Sequence, residues 1–287
     1  MVSPREAMLV ETDWLAAHLD DPEVRIVDIR GTIRPPDAPQ PWYQADRDAY
    51  AAAHIPGAVF VDWLRDIVDL AAPVKMTLAR PDEFAALMSR LGIGDSHTVI
   101  AYDATGHIAP RLWWALHYYG HAAVRLLNGG WTKWVAEGRP TTTAVPRHPP
   151  ARFTVRVQPE WRAAMSEVRA RLGDAALTLV DCRSPAEFRG EIGRGHRVGR
   201  IPGAVNLPSG RLLEGEHRVW RSDADLRRAF EEAGAGADRE VITYCNAGVS
   251  ASIALFGAKL LGYPRARNFA GSWYEWEHDP GSPIEKG

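Results

Sequence analysis

The sequence predicts an α/β protein of two tandem domains with one fold, each a small, mainly parallel sheet with helices on both faces. The first observation is an internal repeat. HIPGAV at 54–59 returns as RIPGAV at 200–205, IVDIR at 26–30 as LVDCR at 179–183, and VIAYDATG at 99–106 as VITYCNAG at 241–248. LNGGWTKW at 127–134 returns as NFAGSWYEW at 268–276, so every match keeps its order. A period this long is far outside the range of stacked repeats and means duplication of a domain. The second observation is length: 287 residues exceed the usual span of about 100–200 for one domain. The third is alternation of β-rich runs (VRIVDI, TVIAY, LTLVD, EVITY) with segments of helical period, the pattern of parallel sheets covered on both sides.

Taken in order, residues 1–140 form the first domain, 141–159 a linker, and 160–287 the second domain. The linker TTTAVPRHPPARFTVRVQP is rich in proline and threonine, which suit an extended connection. PDEFAALMSRL at 81–91 and SDADLRRAFEEA at 222–233 read as helices, the second with Ser222 as N-cap and Asp225 three residues on. Residues 240–244 read as a buried strand and 250–261 as a helix with Ile253, Leu255, Phe256, Leu260 and Leu261 available to the sheet. In HIPGAV and RIPGAV a proline fixes φ and a glycine relaxes it, marking tight turns into strands. Asp28 and Asp181 end equivalent strands and read as architecture, His54 as structural. Trp113, Trp114, Trp131, Trp134, Trp273 and Trp276 read as core or interface.

A formal charge of −2 gives no reason to expect a nucleic-acid partner. No apolar run approaches about 18 residues, and residues 1–28 lack the pattern of a secretory leader, so the expected location is the cytoplasm, off the membrane. With this much core the 2 cysteines are expected as thiols, not as a bridge.

Cys245 falls at the carboxyl end of a strand just before a helix, the edge where open α/β sheets bind ligands. The loop Asn246, Ala247, Gly248, Val249, Ser250 is small, and Gly248 lets the backbone curl and aim several N–H groups inward. Such a cradle favours a thiolate and would equally hold a charged persulfide. At the equivalent place the first copy has Asp103, which cannot take up sulfur, so only the second domain is expected to be catalytic. Cys182 reads as a packing residue, with a resolving thiol as the other option.

Together HIPGAVFVD, RIPGAVNLP, VDCRSPAEFRG, AYDATGHIAPRLWWAL, LNGGWTKW, YCNAGVSAS and FAGSWYEW resemble the tandem-domain rhodanese family of thiosulfate/3-mercaptopyruvate sulfurtransferases over nearly the whole chain. The resemblance implies two rhodanese-like domains with the site between them. It implies a double displacement in which Cys245 takes a sulfane sulfur from a small anionic donor and passes it to a thiophilic acceptor such as cyanide or a thiol, with no cofactor and no metal. Members favouring thiosulfate resemble Cys-Arg-Lys-Gly-Val in this loop, and those favouring 3-mercaptopyruvate Cys-Gly-Ser-Gly-Val. This chain keeps Cys245, Gly248 and Val249 around a neutral Asn246 and Ala247, a slight lean to mercaptopyruvate. Ala247 replaces the loop serine, Asp62 fits the family's aspartate, and Met76 falls where its histidine would be. The family's substrate arginine aligns with Glu187, leaving Arg194 or Arg197, then Arg183, to bind the donor.

Two rivals remain from the residues. A cysteine phosphatase needs an arginine six positions after its cysteine, where this chain has Ala251. A persulfide carrier or binding module, loaded by a protein partner and handing sulfur to a thiol protein, is kept open by the unusual CNAGVS loop.

Overall fold

The computed structural model describes residues 3–287. Its first sheet runs, edge to edge, Leu9–Val10, Val124–Leu127, Thr98–Tyr102, Val24–Asp28, Ala58–Phe60. The second runs Ala266–Asn268, Glu240–Tyr244, Leu177–Asp181, Val205–Asn206. Every neighbouring pair in both sheets is parallel. The strands follow the repeat: those carrying VIAY and VITY sit centrally, each flanked by the one ending in VDIR or VDCR. The first copy adds Leu9–Val10 at its edge, where the second has only an isolated parallel bridge, Arg162 to Asn268.

Helices cover both faces of each sheet. On the first, Leu15 and Trp134 from Thr12–Ala17 and Gly130–Ala136 pack outside, while Phe84 and Leu112 from Pro81–Arg90 and Ala109–Tyr118 pack inside. On the second, Val168 and Trp276 lie outside, and Phe230 and Ile253 inside, from Asp223–Glu232 and Ser250–Leu260. Ser222 caps its helix by accepting the Asp225 amide at 3.1 Å. Gly57 and Gly203 take φ of 79° and 75° in the two IPG turns, a conformation that disfavours any side chain.

The inner layers are not two separate cores. Helices Ala109–Tyr118 and Ser250–Leu260 lie between the sheets, Trp113 stands edge-on to Phe256 at 4.8 Å, and one apolar cluster runs from Val27 and Val99 through to Val180 and Val241. Their sequences foretell this, because Trp113, Trp114, Leu255 and Phe256 are apolar around most of each helix, which demands burial on all sides. Segment 141–159 lies along the first domain: Phe153 packs on Phe84, and the amides of Arg156 and Gln158 donate to the carbonyls of Tyr119 and Tyr118 at 3.0 and 2.7 Å. No helix of the described residues is long and apolar enough to cross a membrane.

Candidate active site

Below each strand end is the same brace. Asp28 accepts Arg30 Nε at 2.9 Å and the Tyr102 hydroxyl at 2.6 Å, and the Arg30 guanidinium stacks 4.2 Å from the Trp131 ring. In the second copy Asp181 accepts Arg183 Nη2 at 2.6 Å, and that guanidinium lies 4.5 Å from Trp273. Arg183 Nη2 also donates to the Gly199 carbonyl at 2.7 Å. Arg183 thus turns Nε and Nη2 to Asp181 and Gly199, as its counterpart Arg30 turns to Asp28 in a domain without the cysteine, while it also lines the cavity at Cys245.

Above the braces lie the two loops. The Asp103 carboxylate accepts the backbone amides of Thr105 and Ala109 at 2.7 and 2.6 Å, and in addition those of Gly106 and Ile108. This loop is a cradle for negative charge, filled by its own side chain. The second loop repeats the curl, with φ of 74° at Gly106 and 75° at Gly248. Its equivalent amides belong to Ala247, Gly248, Ser250 and Ala251, and among the described residues they find no protein acceptor. Cys245, 3% exposed, stands where Asp103 stands in the first copy.

Several groups fix this loop. The Cys245 amide donates to Ser272 Oγ at 3.1 Å, and Ser272 holds a left-handed φ of 54° that its counterpart Gly130 adopts at 53°. The Cys245 carbonyl accepts the Trp273 amide at 2.9 Å. Asn246 donates to Glu187 Oε1 at 2.9 Å. The Gly248 carbonyl accepts Ser252 Oγ at 2.9 Å, Asn268 Nδ2 at 3.1 Å and, across the domain boundary, Arg111 Nη1 at 3.2 Å. A methyl group on Gly248 would come within 2.6 Å of the Ala270 carbonyl oxygen.

Cys245 opens on a cavity of about 770 Å³ lined by both domains, including Ile33, Tyr43 and His107 from the first and Cys182, Glu187 and Arg194 from the second. A neighbouring cavity of about 630 Å³ shares Tyr43, Arg194, Asn246 and Ala247 with it and reaches Met76. Arg194 is the one sequence-proposed arginine at both. Its guanidinium lies about 5 Å from the Trp42 and Tyr43 rings, 5.3 and 5.2 Å, with Nε 3.8 Å from Glu187. Nη2 donates to the Arg34 carbonyl, while Nε and Nη1 are buried without a hydrogen-bond partner among the described residues. Arg197 donates to the carbonyls of Asp279 and Ser282 at 2.9 and 2.7 Å, which ties it to the C-terminal segment. Burial pushes the Tyr43 phenol up to about 12, which keeps it a proton donor at neutral pH.

Cys182 lies beside Cys245. Its amide donates to the Tyr244 carbonyl at 2.8 Å, and both thiols are free, buried and in the same apolar layer. Burial, and then the sulfur of Cys245, push the Cys182 thiol well up, so it packs as a neutral group. The Asp62 carboxylate is occupied by the Leu64 amide at 3.0 Å, and Met76 meets Arg111 through its carbonyl. Among the described residues no group of His, Cys, Asp and Glu is arranged for a metal ion.

Arg111, Ser272 and the Asn246–Glu187 link escape a reading of motifs one at a time. The repeat carried a signal for Ser272, since GGW in the first copy becomes GSW in the second.

The Rhodanese-like domain model matches residues 11–137 and 164–279. The chain is 38% identical to the sulfur carrier protein TtuD of Thermus thermophilus, over 98% of this chain and 97% of that protein. It is 35% identical to a thiosulfate sulfurtransferase of Corynebacterium glutamicum, over 97% and 90%. The crystal structure of SseA, a 3-mercaptopyruvate sulfurtransferase of Escherichia coli, superposes with a TM-score of 0.83 at 30% identity, covering 93% of this chain and 99% of SseA. With the repeat, the paired parallel sheets and the two loop cradles, these similarities make the chain a member of the rhodanese family, built from two rhodanese-like domains.

Proposed function

We propose that this rhodanese-family sulfurtransferase moves a sulfane sulfur from a small anionic donor through a persulfide on Cys245 to a thiophilic acceptor. One observation carries the reading. Among the described residues four amides around Cys245 find no protein acceptor, while their equivalents in the first domain all converge on the Asp103 carboxylate. Donors already aimed at one point stabilise an anion there without reorganisation. The Cys245 thiolate attacks the outer sulfur of thiosulfate or the thiol sulfur of 3-mercaptopyruvate. The S–S bond of thiosulfate then breaks to release sulfite, or the C–S bond of 3-mercaptopyruvate breaks and its carbon takes a proton to give pyruvate. Attack by cyanide or a thiolate on the terminal sulfur regenerates the Cys245 thiolate and yields thiocyanate or an acceptor persulfide.

In this reading Arg194 binds the donor's oxygens, supported by two buried nitrogens beside the cavity that lack partners among the described residues. The uncharged Asn246 and Ala247 offer no second cation for a dianion, which favours 3-mercaptopyruvate over thiosulfate. A carrier role, with loading by a protein partner, is the second reading. It is favoured by the neutral loop and by similarity to a sulfur carrier protein.

Intact mass of the protein and of Cys245→Ser, after each donor and again after cyanide, tests this. The expected result is one added sulfur atom on the native protein, removed by cyanide and absent in the variant. No gain from either donor overturns the small-molecule reading in favour of the carrier.

A further inference from the structure

The guanidinium of Arg111 is fully buried, and among the described residues it forms no salt bridge with a carboxylate; the charge change it feels most directly is that of Cys245. It stacks 4.6 Å from Trp114, donates to the carbonyls of Gly248 and Met76, and leaves Nε without a partner among the described residues. Burial lowers it to about 10, so it remains a cation at neutral pH. A buried charge without a counter-ion costs several kcal/mol, roughly, and fold stability gives no reason to keep one. The duplicate makes the point directly. The equivalent helix position in the second domain is Ile253, buried and apolar, so the fold does not require arginine there.

We propose that Arg111, from the domain without the cysteine, is a positioning residue for sulfur transfer: it pins the Gly248 peptide and supplies the buried positive charge facing the sulfur anion. The inference rests on reading Cys245 as the sulfur-carrying nucleophile. With Ser252 and Asn268, Arg111 makes three donors on one carbonyl, which fixes the peptide that follows Gly248. Because a peptide is planar, this also fixes the Val249 amide, in the loop between the amides of Gly248 and Ser250. The cation then acts through low-dielectric protein, where a unit charge is felt far more strongly than in water. The first domain thus completes a site whose nucleophile belongs to the second.

The test compares Arg111→Met with Arg111→Lys, each checked for folding by near-UV circular dichroism. Cys245 is alkylated with iodoacetate and with iodoacetamide at one pH, in chains carrying Cys182→Ala so that only one thiol reports. The ratio of the two rates cancels the thiolate fraction and reports local positive charge. Arg111→Met should lower the ratio about tenfold and slow single-turnover sulfur loading, and Arg111→Lys should restore the ratio. A folded Arg111→Met protein with an unchanged ratio overturns the proposal. Should that variant not fold, Arg194→Gln decides: with Arg111 in place its ratio stays above that of glutathione, and equality overturns the proposal. Alkylation does not depend on turnover, so normal sulfur loading of Cys245→Ser would strike the reading of Cys245 and be seen separately.

Discussion

The Asn246 side-chain amide donates to Glu187 Oε1 at 2.9 Å, tying the residue after the cysteine to the residue that stands at the family's arginine position. Glu187 is held in turn by the amide and hydroxyl of Ser184 at 3.2 and 2.8 Å, and Arg194 approaches it to 3.8 Å. A carboxylate that would repel an anionic donor is thus screened on one side by the loop and on the other by a cation. Asn246→Ala removes one screen. Sulfur loading by an anionic donor should fall about tenfold, the worth of roughly one hydrogen bond to a charged group, and Glu187→Gln in that background should recover part of it. Stopped-flow loading rates check both.

Gly248→Ala places a methyl group 2.6 Å from the Ala270 oxygen at φ 75°. The backbone cost alone is about 1–2 kcal/mol, and the clash adds to it. The expected outcome is a lower Tm together with loss of sulfur loading, while Gly262→Ala, at φ 77° with nothing nearby, should cost stability alone.

Arg183 and Arg194 should part company under substitution. Arg183→Met strands the buried Asp181 and should cost about 3–5 kcal/mol in urea unfolding. Arg194→Met should leave unfolding nearly unchanged and raise the KM for an anionic donor, with little effect on transfer from persulfide to cyanide.

His117 makes the protein acid-sensitive. Burial, reinforced by His121 and Lys259, pushes its imidazole down to about 4, and it stacks on Trp161 at 4.4 Å. A histidine depressed in the folded state contributes stability that is present above its unfolded value, near 6.5, and is lost as pH falls toward 4. Stability should drop by about 3 kcal/mol over that window from this residue. His117→Phe should flatten the fall, as read by urea midpoints at successive pH values.

How much the sequence revealed depended on distance along the chain. Strand Glu240–Tyr244 and helix Ser250–Leu260 lie almost where their apolar runs place them, because period and burial are local signals. The repeat disclosed the sheets and the Asp103–Cys245 correspondence, since duplication turns one copy into a control for the other. Arg111 meets Gly248 across 137 positions, and no local pattern announces such a contact. The pairing of Arg183 with Asp181 was legible in the same way, since Arg30 occupies the same place in IVDIR, beside the equivalent aspartate. Arg197 could not be sorted from Arg194 without knowing where the C-terminal carbonyls return.

The apolar layer between the two sheets sets an order of events during synthesis. Trp113 leaves the ribosome about 140 residues before Phe256, a wait of roughly ten to thirty seconds at ordinary elongation rates. For that interval the first half of the chain carries an indole-rich face with no lid, a natural target for a holdase chaperone. A fragment ending at residue 140 should therefore bind a hydrophobic dye and precipitate where the whole chain stays dissolved.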